Sequence, residues 1–186
     1  MRRVRQLALG VGGAALLAVA GVAPVSAHVG ITADETAAGA HTLLTVGFSH
    51  GCEGSPTTKI SISVPEEITS IAPGMNYGWT VEKVMESEAT PAATPAEGAH
   101  GEGGRVSEII YTAKEPLPDG FYDQFLLSVQ LPEDGEGETL YFPIIQTCEE
   151  DETAWVQIPE EGQDDDELEA PAPGVTIAAP EEESEE

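Results

Sequence analysis

Short apolar runs with a period of two, each closed by Pro, Gly, Asp or Glu, constrain this chain more than any other feature. The run 59–64 (KISISV) alternates strictly. Such alternation puts one face of an extended strand against a core and leaves the other in solvent. Runs at 42–48, 78–84, 106–112, 121–131, 139–146 and 154–158 read the same way, with His28 to Ile31 as a further short strand. The punctuating clusters include Pro65-Glu66-Glu67, Pro73-Gly74, Leu117-Pro118-Asp119-Gly120 and Pro132-Glu133-Asp134-Gly135. No segment holds a helical period. About eight strands over residues 28–159 predict one all-β domain, a β-sandwich.

The first 27 residues read as a targeting segment. Arg2, Arg3 and Arg5 form a basic start, 7–22 is an apolar run, and Val25-Ser26-Ala27 is a small-residue cleavage signature. An uncleaved membrane anchor is the competing reading. Cleavage predicts export into an oxidising space and a mature chain that begins at His28. Two cysteines, Cys52 and Cys148, then read most simply as one disulfide. In the chain-entropy model, closing so long a loop contributes on the order of 4 kcal/mol.

Loss of the targeting segment removes three basic residues and no acid. Four basic residues then face 34 acidic ones, a formal charge of −30. Such a chain is no partner for nucleic acid and is repelled by anionic membrane surfaces. It concentrates cations around itself and resists self-association at low salt, so a monomer is expected. Adaptation to a salty habitat gives the same acidity. Two stretches read as unstructured: a loop over 86–104 rich in Ala, Thr, Pro, Glu and Gly, and an acidic tail over 160–186 with 12 acids in 27 residues. No stretch after the domain is long and apolar enough to span a bilayer.

An N-terminal histidine offers two nitrogens, its α-amine and ring Nδ1. Together they chelate a metal as a histidine brace, and copper(II) is the divalent first-row ion such ligands bind most tightly. His28 therefore becomes a Cu(II) chelate once cleavage frees its amine. The competing reading is simply the first residue of the fold.

The chain also resembles a known family. The resemblance rests on His28-Val29, the turn His50-Gly51-Cys52-Glu53-Gly54-Ser55-Pro56, and Gly78-Trp79. It continues through 117–125 (LPDGFYDQF), 140–149 (LYFPIIQTCE) and Trp155. This order is similar to the YcnI-type domain of bacterial copper-associated exported proteins. The resemblance implies an immunoglobulin-like sandwich and a Cu(II) site on the mature N-terminal histidine, helped by a carboxylate. Relatives often end in a membrane helix or sit beside copper importers or periplasmic copper chaperones, which are the expected partners. This chain ends instead in acids.

Glu53 is the expected carboxylate ligand, against an ordinary solvated turn residue. His50 in the same turn and His100 in the 86–104 loop are further candidate ligands, each against a surface histidine with no role. Trp155 is expected to shield the site, against a plain core role. Asp123 and Glu149 are reserve carboxylates. His41 is expected to be exposed and inert. Met75 and Met85 are too few for a Cu(I) methionine site, so the expected ion is Cu(II). A binding protein for copper trafficking, storage or delivery is therefore expected, not an enzyme. The alternatives are a brace-type redox enzyme, which needs a second core histidine and an aromatic substrate face, and a metal-free structural sandwich.

Overall fold

The computed structural model describes residues 28–86, 104–160 and 162–180. The expected targeting segment, most of the 86–104 loop with His100, and the last six residues lie outside them.

Two antiparallel sheets pack face to face. One has the order β1-β2-β7-β4: β1 Gly30–Ala33, β2 His41–Phe48, β7 Asp123–Gln130 and β4 Ile71–Pro73. The other runs β10-β9-β3-β6-β5: β10 Glu152–Trp155, β9 Ile144–Cys148, β3 Thr57–Ser63, β6 Val106–Leu117 and β5 Trp79–Met85. The alternation read from the sequence decides what lies between them. Leu44, Val46 and Phe48 point inward from β2, Phe125, Leu127 and Val129 from β7, and Ile60 and Ile62 from β3. Tyr111 stacks on Phe125 with ring centroids 3.8 Å apart, and its hydroxyl donates to the Gly74 carbonyl. The immunoglobulin-like sandwich expected from the sequence is the fold observed.

The Cys52–Cys148 disulfide ties the β2–β3 connection to the end of β9, with a Cα–Cα distance of 5.9 Å. No described residue lies in an α-helix.

Three expectations change. The run 139–146 is two strands, β8 Thr139–Tyr141 and β9, because Phe142-Pro143 interrupts the ladder. The three-residue β4 is an addition to the expected strands. The tail is not unstructured from Glu160 onward: β11 Gly174–Thr176 pairs antiparallel with β8. Ala172, Val175 and Ile177 are buried there, and Ala178 exchanges backbone hydrogen bonds with Thr36 and Ala38. The apolar insert 171–178 lies between two acidic stretches, so mean composition conceals a strand that completes the core.

Candidate metal centre

β1 and β10 are edge strands of opposite sheets, and His28, two residues before β1, packs against Trp155 at the end of β10. Val29 is buried and anchors the start of β1. The half-buried His28 ring stands edge-on to Trp155, centroids 5.5 Å apart and planes at 67°. Trp155 ends β10 and is buried.

Gln146 links this pair to the turn after β2. It occupies an inward position of β9 and is 1 % exposed, so all its polar atoms need partners. Its Oε1 accepts from Trp155 Nε1 at 3.1 Å. Its Nε2 donates to the His50 carbonyl at 2.7 Å and to Thr57 Oγ1 at 2.8 Å. One buried amide thus joins the tryptophan beside His28 to the backbone of the His50-Gly51-Cys52-Glu53 turn.

That turn is tightly specified. Cys52 and Ser55 exchange both backbone hydrogen bonds, at 3.2 and 2.8 Å. A Cβ at Gly51 would overlap the Ser55 carbonyl, so only glycine fits. Glu53 and Gly54 have φ of 51° and 88°, the left-handed pair of a tight hairpin turn. Glycine takes this conformation freely, whereas glutamate is strained in it. Among the described residues Glu53 is the one non-glycine with positive φ, and its side chain is exposed.

His50 meets a partner that sequence spacing does not reveal. Its Nδ1 lies 3.9 Å from Asp119 Oδ1, and the same oxygen accepts from Gly51 N at 2.9 Å. In the sequence Asp119 reads only as part of a turn. Gln146 is equally inconspicuous there; its one signal is a glutamine at an inward strand position between Ile144 and Cys148.

The remaining candidates separate. Asp123 is a structural residue. It accepts from Trp79 Nε1 at 2.8 Å, Asn76 Nδ2 at 3.1 Å and its neighbour's amide, Gln124 N, at 2.8 Å. Its carboxylate is committed to the loop before β5. Glu149 is exposed on the β9–β10 turn, its amide bonded to the Pro56 carbonyl. His41 is exposed at the start of β2, as expected.

Among the described residues no three His, Cys, Asp or Glu side chains converge as a ready metal cluster. A brace asks for less from side chains, since one of its nitrogens is a backbone amine. The donor set offered is one half-buried imidazole, an amine that exists only if the chain is cut before His28, and exposed carboxylate. Nitrogen with oxygen donors suits a cupric ion.

Fold and site define an immunoglobulin-like sandwich with one disulfide, from the β2–β3 connection to the end of β9, and a half-buried histidine packed against the tryptophan that ends β10. The chain belongs to the family described as "Domain of unknown function (DUF1775)", whose model matches residues 28–177; this is the YcnI-type family. The match runs through β11, in keeping with that strand's place in the core. A Nocardia farcinica protein, described as uncharacterized with an immunoglobulin-like fold, is 23% identical. The alignment covers 82% of this chain and 99% of that one, with a TM-score of 0.63. A "Putative membrane anchored protein" of Corynebacterium diphtheriae is 11% identical over 79% of this chain and 32% of its own, with a TM-score of 0.40. No curated protein matches the chain.

Proposed function

We propose that this is an exported copper(II)-binding protein that stores, carries or delivers the ion, with His28 as its principal ligand. Copper is the cargo. Cleavage after Ala27 frees the α-amine, so binding competence arises only on export. Amine and imidazole of His28 take the ion, Glu53 supplies a neutralising carboxylate, and Trp155 limits solvent access beside the ring. His50 is an auxiliary donor that Asp119 orients. His100 remains a candidate from the loop outside the described residues.

The observation that carries this reading is the fixed position of His28. A chain terminus ordinarily frays. Here the ring packs edge-on against a buried tryptophan whose indole N–H is tied through Gln146 to the His50 turn. The strain at Glu53 supports it further, because strained non-glycine residues gather at functional sites. A shallow site of few ligands suits exchange with a copper importer or chaperone, and it holds and passes the ion without catalysis.

N-terminal sequencing of the exported protein tests the first step and should read His-Val-Gly-Ile. Calorimetric Cu(II) titration then compares the chain beginning at His28 with the same chain acetylated at its α-amine, which removes that donor and creates no new one. One equivalent should bind the first, at least tenfold more tightly than the second, a difference of about 1.4 kcal/mol. Equal binding by both would remove the brace. No binding by either would leave a metal-free sandwich.

A further inference from the structure

The outward face of the β1-β2-β7-β4 sheet carries no acidic and no lysine or arginine residue. Its centre pairs Thr45 with Leu126 and Leu43 with Ser128 across β2 and β7. The outward face of the other sheet carries Lys59, Glu82, Glu108 and Glu152. In a chain of 34 acids, an uncharged sheet face is the departure that needs explaining.

Apolar exposure concentrates on the same face. Leu43 and Leu126 are 41% and 42% exposed. The Tyr122 ring lies over Gly47, where a Cβ would meet it, and its hydroxyl bonds Gln124. Met75 and Tyr77, 82% and 99% exposed, line a hollow of about 330 Å³ beside Leu126. These five are the majority of the nine large exposed apolar side chains among the described residues. Apolar exposure with aromatics and methionine on strands that carry no outward charge resembles an interface core, with acids only at its margin: Asp34 and Glu35 beside Leu43, and Asp123 in the wall of the hollow.

We propose that this face is where two copies of the chain associate, sheet against sheet. Charge selects this occupant. A basic partner would gain most from the acid-rich surfaces elsewhere. A second copy, itself strongly anionic, can approach closely only where acids are missing. A two-fold pairing places each face on its own equivalent and needs no other complementarity. The four strands, of 4, 8, 8 and 3 residues at about 3.3 Å per residue and about 4.8 Å apart, give a footprint of roughly 360 Å². The 74–77 loop and Tyr122 extend it toward the roughly 800 Å² per partner of a standard interface. Association is therefore weak and salt-dependent: flanking Asp34 and Glu35 repel across the rim until ions screen them. This replaces the monomer expected from net charge alone, and it stands independently of the metal reading.

Sedimentation velocity at tens of micromolar protein tests it, from about 20 mM to about 0.5 M salt, where the screening length falls from roughly 20 Å to a few Å. The mature chain should be monomeric at low salt and should roughly double its mass at high salt. Leu126→Asp should hold it monomeric throughout, while Thr80→Asp, the same charge change on the opposite sheet, should dimerise like the parent. Circular dichroism checks the fold of each variant, and Leu43→Asp stands in if Leu126→Asp does not fold. A monomer at every salt concentration would overturn the proposal, as would a dimer indifferent to both face variants.

Discussion

Replacing Gln146 with leucine tests the connection between Trp155 and the His50 turn. The volume is nearly conserved, so little cavity forms and the loss is polar. Three hydrogen bonds disappear, to Trp155 Nε1, the His50 carbonyl and Thr57 Oγ1. Each contributes about 1 kcal/mol net, and an orphaned buried donor costs about 1–3 kcal/mol more. Trp155 Nε1 is such an orphan, since the indole is buried. Burying two additional apolar atoms returns about 1 kcal/mol. The expected loss is about 3–5 kcal/mol, or about 8–16 °C in Tm for a loss of about 4 kcal/mol in a domain of this size. Urea unfolding followed by tryptophan fluorescence, disulfide intact, reads it as a lower midpoint at unchanged slope. Thr147→Val is the control one residue away; its hydroxyl bonds only the exposed Glu152. If Gln146→Leu lay within about 0.5 kcal/mol of the parent, as the control should, the amide would not be holding the turn and tryptophan together.

Three further outcomes follow from the same structure. Glu53→Asn should stabilise the protein by up to about 1 kcal/mol in urea, because asparagine tolerates positive φ better; it should also weaken Cu(II) binding in calorimetry. Ending the chain at Ala170 should cost several kcal/mol, since burial of Val175 and Ile177 contributes about 1.5–3 kcal/mol each, whereas ending it at Pro180 should change thermal stability by less than about 0.5 kcal/mol. Burial raises the Tyr111 phenol to about 12. The unfolded chain therefore loses that proton first, and stability should be flat below pH about 10 and fall by about 2–3 kcal/mol up to pH about 12; Tyr111→Phe should flatten that limb in urea titrations at alkaline pH.

The sandwich is legible in the sequence because period-two alternation reports which side of a strand is buried, and seven long runs carry it. What escapes is short or averaged away. Ile71–Pro73 offers three residues, too few for a period. Val175 and Ile177 lie inside a tail whose mean composition is acidic. Pro143 sits in a run that reads as one strand and splits it in two. The candidate site is legible at His28, where the cleavage signature and the chelating chemistry of a terminal histidine coincide. Its surroundings are legible only through the family resemblance: nothing in the spacing of His28 and Trp155 places their rings together. Gln146 and Asp119 escape because their importance comes from partners that only folding supplies. Asp123 reads as a spare ligand, yet its partners Trp79 and Asn76 come from a loop nearly fifty residues away.

The central claim is that His28 binds copper through two nitrogens of one residue. Electron paramagnetic resonance of the mature chain with one equivalent of Cu(II), with and without ¹⁵N in histidine, tests it most directly. The account predicts an axial spectrum whose nitrogen couplings arise from both an amine and an imidazole. Isotope substitution should alter both, and the amine coupling should vanish when the α-amine of His28 is acetylated. A spectrum of imidazole nitrogen and oxygen alone, unchanged by that acetylation, would contradict it.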